Sequence, residues 1–504
     1  MADSLVDLLL AAAARDPHKV ALRRQHGAWT YGDLTRGAAA AAVMLRAAGL
    51  EPGDRVGLLF RNSPEYVALF YGALSARLAV VPLNVQERAS VLALQVAHGG
   101  ARLVVGDPEH PEWPALRAAL SVEIPMLAVP CHDRAGSAAA FLQDTVAGAE
   151  RPLESPSVAR DDMAVLLYTS GTTGRPKGVM LSHGNLVANN LAIQAYLQLV
   201  PEDVGLTVMP FHFSYGNSVL HTHLAAGATL LLEDNLAYPL KVVQRFEREK
   251  VTGFSGVPST FAILMSRCRL EEFDLGSMRY LTQAGGAMTR AAIQRMRELV
   301  PSAKFWVMYG QTEATARLTY LRPEHLDGRL GSVGIPLDGI EIEIRNERGE
   351  VLPPGQTGEL CARGPNIMLG YWRDEEATRE AVVDGWLRTG DLAHRDDAGF
   401  LYIDGRVVDM IKVGSFRVSP LEVEEVLATL PGIAEMAVAS TPDELLGQAI
   451  KAVIVLRDGA ELDERQVKAH CRAQLASYKV PKIVEFAREL PRTSSGKVQR
   501  FKLA

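Results

Sequence analysis

Between Tyr168 and Lys177 the chain gathers hydroxyls, glycines and a cation, the groups a polyphosphate needs. The stretch Val165–Val179 reads VLLYTSGTTGRPKGV. Its apolar lead-in, Met163 to Leu167, predicts a buried strand. That strand runs into Thr169-Ser170-Gly171-Thr172-Thr173-Gly174. Glycines let the backbone close around a ligand, and successive N–H groups with hydroxyls form an anion-binding nest. Lys177 adds positive charge. The widespread GxxxxGK[ST] phosphate loop is excluded: counting from Gly171, Pro176 stands where its second Gly belongs and Gly178 where its Ser or Thr belongs. Taken alone, a loop of this composition is as readily an ordinary turn.

Other residues with chemistry follow the ends of apolar runs. His212 lies in Met209–Gly216 (MPFHFSYG), where a lone histidine is ordinarily a packing residue. Ser255-Gly256-Val257-Pro258 and Thr282–Met288, with Gly285 and Gly286, stand at strand ends, where open α/β sheets bind ligands. In Phe305–Thr315 (FWVMYGQTEAT) the Tyr309 ring can stack on a purine and the Glu313 carboxylate can hold Mg²⁺. The run Trp386–Asp391 (WLRTGD) ends on a carboxylate that accepts two hydrogen bonds at once. Gly405–Lys412 and Pro491–Lys497 contribute Arg406, Lys412 and Lys497. A lysine in a Ser/Gly tail is by itself a solvated surface group.

SGTTGRPKG, preceded by Tyr-Thr, resembles the nucleotide signature of the adenylate-forming (ANL) superfamily. That superfamily comprises acyl- and aryl-CoA synthetases, luciferase-type enzymes and peptide-synthetase adenylation domains. Six motifs occur in family order, at 168–178, 209–216, 309–313, 388–391, 405–412 and 491–497, so the resemblance covers nearly the whole chain. Each has a plain explanation singly; all six in order do not. The pattern is similar to that of stand-alone fatty acyl or acyl-carrier-protein ligases.

The resemblance implies ATP-dependent activation of a carboxylic acid to an acyl-adenylate. A thiol of CoA or of a carrier protein's phosphopantetheine then takes the acyl group. It further implies that Ser170, Thr172, Thr173 and Lys177 hold the β- and γ-phosphates, that Thr169, Gly171 and Gly174 belong to the same nucleotide site, and that Glu313 holds Mg²⁺. Tyr309 would flank the adenine, Thr312 contact the α-phosphate and Asp391 with Arg406 fix the ribose, with Gly285, Gly286, Gly310 and Gln311 also in the nucleotide site. Lys497 would bridge the carboxylate and α-phosphate, and Lys412 would serve the thiol step after the C-terminal unit swings. His212 would gate the acyl tunnel; peptide-synthetase members carry an Asp in this motif, so an α-amino acid substrate is disfavoured. The pocket wall would be Phe213, Tyr215, Val257, Gln283, Ala284 and Met288, mostly apolar, which suits a fatty, short-chain or aryl acid. Two positions depart from the family. The hinge residue, usually Asp or Lys, is Val408, which is β-branched and stiff. The thiol-tunnel Gly is Ser415. Transfer of the adenylate to a non-thiol acceptor and a silent nucleotide-binding paralogue are the competing readings.

These residues need a scaffold. Residues 1 to about 160 alternate helical and strand-like runs, which predicts an α/β parallel sheet, and 134–160 read as a surface excursion. Residues 330–386 read as β-rich. Ser419-Pro420-Leu421-Glu422 has capping-box spacing and predicts a helix to Leu430. The fold expected is α/β, with a large N-terminal domain of α/β subdomains plus a β-rich subdomain (1–405), a hinge (406–409) and a small mobile α+β domain (410–504). A chain of 504 residues is too long for one core. Its net charge of -6 offers nothing to nucleic acid. Four scattered cysteines without CxxC pairing point to a reducing compartment and against zinc or disulfides. The apolar N-terminus carries Asp3 and Asp7 where a signal peptide needs basic residues, and no run is long enough to span a membrane. A cytoplasmic location is the expectation.

Overall fold

Short Val- and Leu-rich runs separated by helices have no hairpin partner next in sequence, so they pair in parallel through crossovers. The computed structural model, which describes residues 2–120, 123–145, 152–169, 177–406, 410–413, 416–443, 447–492 and 498–503, shows two such sheets. The first has seven strands. Its parallel members are Arg55–Leu59, Ala79–Pro82, Ala101–Gly106, Met126–Ala128 and Met163–Thr169. Lys177–Ser182 turns back antiparallel on Met163–Thr169, and Gly370–Tyr371 closes that edge.

The second sheet has fourteen strands. Val204–Thr207, Thr229–Leu232, Gly253–Gly256, Tyr280–Gln283 and Lys304–Tyr309 form its parallel part. It continues antiparallel through Thr319–Leu321, Ser332–Pro336, Leu401–Arg406, Trp386–Arg395, Gly358–Arg363 and Glu341–Arg345. The expected β-rich part is thus an extension of the parallel sheet. Beyond it, Ile411–Val413, Phe416–Val418, Ile433–Asp443, Gly447–Leu456 and Ile483–Phe486 make a separate five-stranded sheet with its own apolar core.

Two helices stand against the ends of the parallel strands. His183–Leu197 begins where Ser182 and Asn185 form a capping box, as the hydroxyl and amide satisfy each other's backbone N–H groups. Ser214–Ala226 ends at Gly227, whose φ of +81° is the left-handed conformation that lets a helix stop. The two helices pack on each other.

Two expectations need correction. Residues 137–145 are a helix within the expected surface excursion, anchored by Phe141, which is fully buried against Trp29 at 5.3 Å between ring centroids. An Ala/Gly-rich segment with one aromatic and a Ser hydroxyl that takes the Trp29 Nε1–H at 2.9 Å can still be core. Ser419 does not cap its helix, which runs Pro420–Leu427; its hydroxyl donates instead to the Asp404 carbonyl. Glu422 pairs with Lys479 rather than reaching back to the cap.

Burial of three imidazoles makes stability depend on pH. Burial lowers His183 to about 4, and His212 and His221 to about 3. Because these folded values lie below the ordinary 6.5, the unfolded chain binds more protons between the two. Stability from these groups is complete above pH ~6.5 and is lost as pH falls, by about 1.4 kcal/mol per pH unit for each. Urea unfolding midpoints should therefore drop steeply from pH 7 to 5. A flat profile would mean that the rings are not held neutral.

Candidate active site

The extension of the parallel sheet brings Asp391 to Tyr309. Antiparallel pairing sets Asp391 directly opposite Arg406, and the arginine Nε donates to Asp391 Oδ1 at 2.9 Å. The Tyr309 hydroxyl donates to Asp391 Oδ2 at 2.6 Å. Behind the carboxylate, the Asp391 N–H donates to Thr389 Oγ1, whose own hydroxyl bonds the Leu360 carbonyl. Asp391 is 5% exposed, so its two oxygens are fixed in direction, each with a lone pair to spare. Burial and the neighbouring carboxylate keep the Tyr309 phenol protonated, far above its ordinary range. Three residues from distant parts of the sequence thereby become one rigid group.

Glu313 sits in a single 3-10 turn, Thr312–Ala314, just past the strand carrying Tyr309. Gly310 is required there, because a Cβ would stand 2.2 Å from the Ala316 carbonyl. The Tyr371 hydroxyl donates to Glu313 Oε1 at 2.9 Å, and Lys177 lies over the Tyr371 ring at 4.8 Å. One Tyr thus spaces the lysine of the phosphate motif from the carboxylate of the metal motif. Burial, and then the Glu313 charge, raise the Tyr371 phenol well above its usual value. Thr312 Oγ1 meets Ser214 Oγ at 3.2 Å, tying the turn to the helix that follows His212.

The remaining candidates fall into place around this arrangement. Thr169 ends its strand opposite Lys177. Gln311 precedes the 3-10 turn in extended backbone. Gly285 adopts φ +82°, and Gln283 donates to the Gly286 carbonyl at 2.7 Å, so this strand end is a braced turn. Of the expected acid pocket, Tyr215, Gln283 and Ala284 are buried, while Phe213, Val257 and Met288 are half-buried. The Tyr215 hydroxyl donates to the Thr282 carbonyl at 2.9 Å. The His212 ring is tilted 59° to that of Phe213 with centroids 4.4 Å apart, burial lowers its pKa to about 3, and its buried Nε2 has no partner among the described residues. Ser170, Gly171, Thr172, Thr173, Gly174, Val408, Ser415 and Lys497 lie outside the described residues, as does the Lys412 side chain.

Sequence reasoning missed Tyr371, Thr389 and Ser214. Gly370-Tyr371-Trp372 reads as a strand edge, and nothing local says that its hydroxyl meets Glu313. Thr389 was visible only as part of the Asp391 motif.

The residues suit MgATP. The Glu313 Oε2 atom has no partner among the described residues, and no cluster of three metal-ligating side chains occurs among them. Mg²⁺ bound through one carboxylate, with substrate phosphates and water completing its shell, is its usual mode.

The comparisons with known proteins agree. The AMP-binding enzyme family matches residues 9–372, and the AMP-binding enzyme C-terminal domain matches residues 422–497. Feruloyl-CoA synthase of Amycolatopsis sp is 37% identical over 96% of this chain and 95% of its own length. The long-chain-fatty-acid–CoA ligase of Bacillus subtilis is 32% identical over 99% of this chain and 94% of its own. ATP-bound MatB from Rhodopseudomonas palustris superposes with a TM-score of 0.91 at 32% identity, covering 100% of this chain and 98% of that one. The chain belongs to the AMP-binding enzyme family. Its class is that of the AMP-forming acid–thiol ligases, which use ATP with Mg²⁺ to make an acyl-adenylate before a thiol takes the acyl group.

Proposed function

We propose that this chain converts an acyl or aryl acid to its CoA thioester, as the feruloyl-CoA and fatty-acid–CoA relatives are named for doing. The observation that carries the nucleotide half of this reading is the Tyr309–Asp391–Arg406 group, a buried carboxylate aimed by two donors beside an aromatic ring. Asp391 accepts both ribose hydroxyls and Tyr309 packs on adenine. Ser170, Thr172, Thr173 and Lys177 hold the β- and γ-phosphates, and Glu313 holds Mg²⁺. A carboxylate is a poor electrophile, so its oxygen attacks the α-phosphorus and pyrophosphate leaves. Charge accumulates at that phosphorus, and the chain's work is positioning and charge stabilisation by Lys497 and Thr312.

Transfer to the thiol would use a different arrangement. Residues 410–504 swing about 406–409, withdraw Lys497 and present the Lys412 strand to the incoming thiol, whose attack on the acyl carbon expels AMP. That Ile411–Val413 belongs to a separate sheet, while Arg406 ends a strand of the large one, supports a hinge between them. A carrier-protein phosphopantetheine would reach the acyl carbon by the same chemistry, and CoA is favoured because the relatives are CoA ligases. Cytoplasmic location is proposed on the four unpaired cysteines; among the described residues no helix is long and apolar enough to cross a membrane.

ATP–pyrophosphate exchange across fatty, aryl and amino acids, with and without CoA, tests the proposal. Exchange with one acid class, and AMP release only when CoA is added, is expected. Exchange without turnover on CoA would refute CoA as the acceptor.

A further inference from the structure

Arg317 lies four residues past Glu313 and is 3% exposed. A guanidinium this deep ordinarily has a carboxylate, because an unpaired buried charge is costly. Arg245, equally buried, shows the usual solution: Glu233 at 2.6 Å and the carbonyls of Leu232, Arg23 and Arg24. Arg317 has nothing comparable. Its Nε faces the Met308 sulfur at 3.3 Å, one terminal nitrogen reaches the Ala316 carbonyl at 3.5 Å, and the guanidinium also hydrogen-bonds the side chain of Tyr196. Its guanidinium lies 4.2 Å from the centre of the Tyr215 ring. Among the described residues no carboxylate pairs with it.

It packs on Tyr215, a residue of the expected acid pocket. Tyr215, on which it rests, follows Ser214, the partner of Thr312, and bonds the strand that ends in Gln283 and Ala284. The backbone is turned toward this place by Thr315, a β-branched residue held at φ +66°. A second, independent feature adjoins it. Between the helices His183–Leu197 and Ser214–Ala226 is a cavity of about 10 Å³, lined by Asn189, Asn190, Ser218, His221 and Thr315 among others. Asn189 Oδ1, Asn190 Nδ2 and His221 Nε2 have no partner among the described residues, though each residue is 3% exposed or less. The cavity has room for about one water or one oxygen of a ligand. The helix face Ser214–Ser218–His221 leads from Thr312 toward it, about 10 Å along the axis at 1.5 Å per residue.

We infer that the acid activated here carries a second carboxylate at its far end, neutralised by Arg317, with the adjoining polar cavity accommodating its solvation. The inference rests on the adenylation reading above and narrows its acid class. On this inference the expected, mostly apolar pocket is apolar at Phe213, Val257 and Met288 and cationic at its depth.

The test is ATP–pyrophosphate exchange with matched pairs of monocarboxylic and dicarboxylic acids, aliphatic and aryl, plus a hydroxyaryl acid. Wild type, Arg317→Met and Arg317→Lys are compared. Wild type should favour the diacid of a pair by at least ~10-fold, and Arg317→Met should lose about 10²-fold on it, chiefly in KM for the acid. Arg317→Met should gain on the matched monoacid, Arg317→Lys should retain part of the diacid activity, and KM for ATP should stay constant in both. A wild-type preference for monoacids, with the ranking unchanged in Arg317→Met and only its thermal midpoint lowered, would overturn the inference. An Arg317-dependent preference for the hydroxyaryl acid over every diacid would overturn the carboxylate assignment. If Arg317→Met does not fold, the wild-type ranking alone decides. Absence of exchange with any acid would instead reject adenylation itself.

Discussion

Lys497→Ala is expected to lower ATP–pyrophosphate exchange by about 10²- to 10³-fold, the usual cost of losing one donor aimed at transition-state charge. The same variant should still form thioester from supplied acyl-AMP. The asymmetry follows from the proposed swing: Lys497 serves only the step in which negative charge gathers on the α-phosphorus. Lys412→Ala should show the reverse, with exchange intact and thioester formation slowed. Single-turnover assays of each half-reaction measure both. Loss of both half-reactions in Lys497→Ala would discard its assigned role, and identical behaviour of the two lysine variants would discard the hinge.

Asp391→Ala should be nearly as damaging, for a different reason. It removes the acceptor of the Tyr309 hydroxyl and of Arg406 Nε, and leaves the Tyr309 hydroxyl without its carboxylate. Each charge-assisted hydrogen bond is worth roughly 1.5–3 kcal/mol, so losing two to the ribose should raise KM for ATP by 10²-fold or more, on the order of 3 kcal/mol. Tyr309→Phe removes the 2.6 Å bond and spares the carboxylate, so its effect on KM should be much smaller. KM for ATP together with the urea midpoint separates binding from folding. An unchanged KM in Asp391→Ala, with only the midpoint lowered, would make this group a structural brace and remove the ribose assignment.

The candidate site could be proposed from motif order because each motif is local. A strand that ends in Tyr-Gly-Gln-Thr-Glu, or in Arg-Thr-Gly-Asp, announces its chemistry within a few residues. Alternating apolar runs likewise announced the α/β class, since period and length are local properties of the chain. What failed locally was burial: residues 137–145 looked like surface on composition, yet Phe141 found Trp29 more than a hundred positions away. Ser419 carried a capping signature and was drawn off by the Asp404 carbonyl, because a tertiary partner outcompeted the local one.

By itself, then, the sequence determined the class of enzyme and pointed to the residues proposed to touch nucleotide. These follow from short-range pattern, where neighbouring residue types constrain one another directly. Only the tertiary structure decided that Tyr371 spaces Lys177 from Glu313, that the His212 imidazole is buried, and that Arg317 is buried with no carboxylate partner among the described residues. The physical reason is that desolvation and pairing are properties of surroundings, and in a parallel sheet the surroundings of each strand end come from distant parts of the chain.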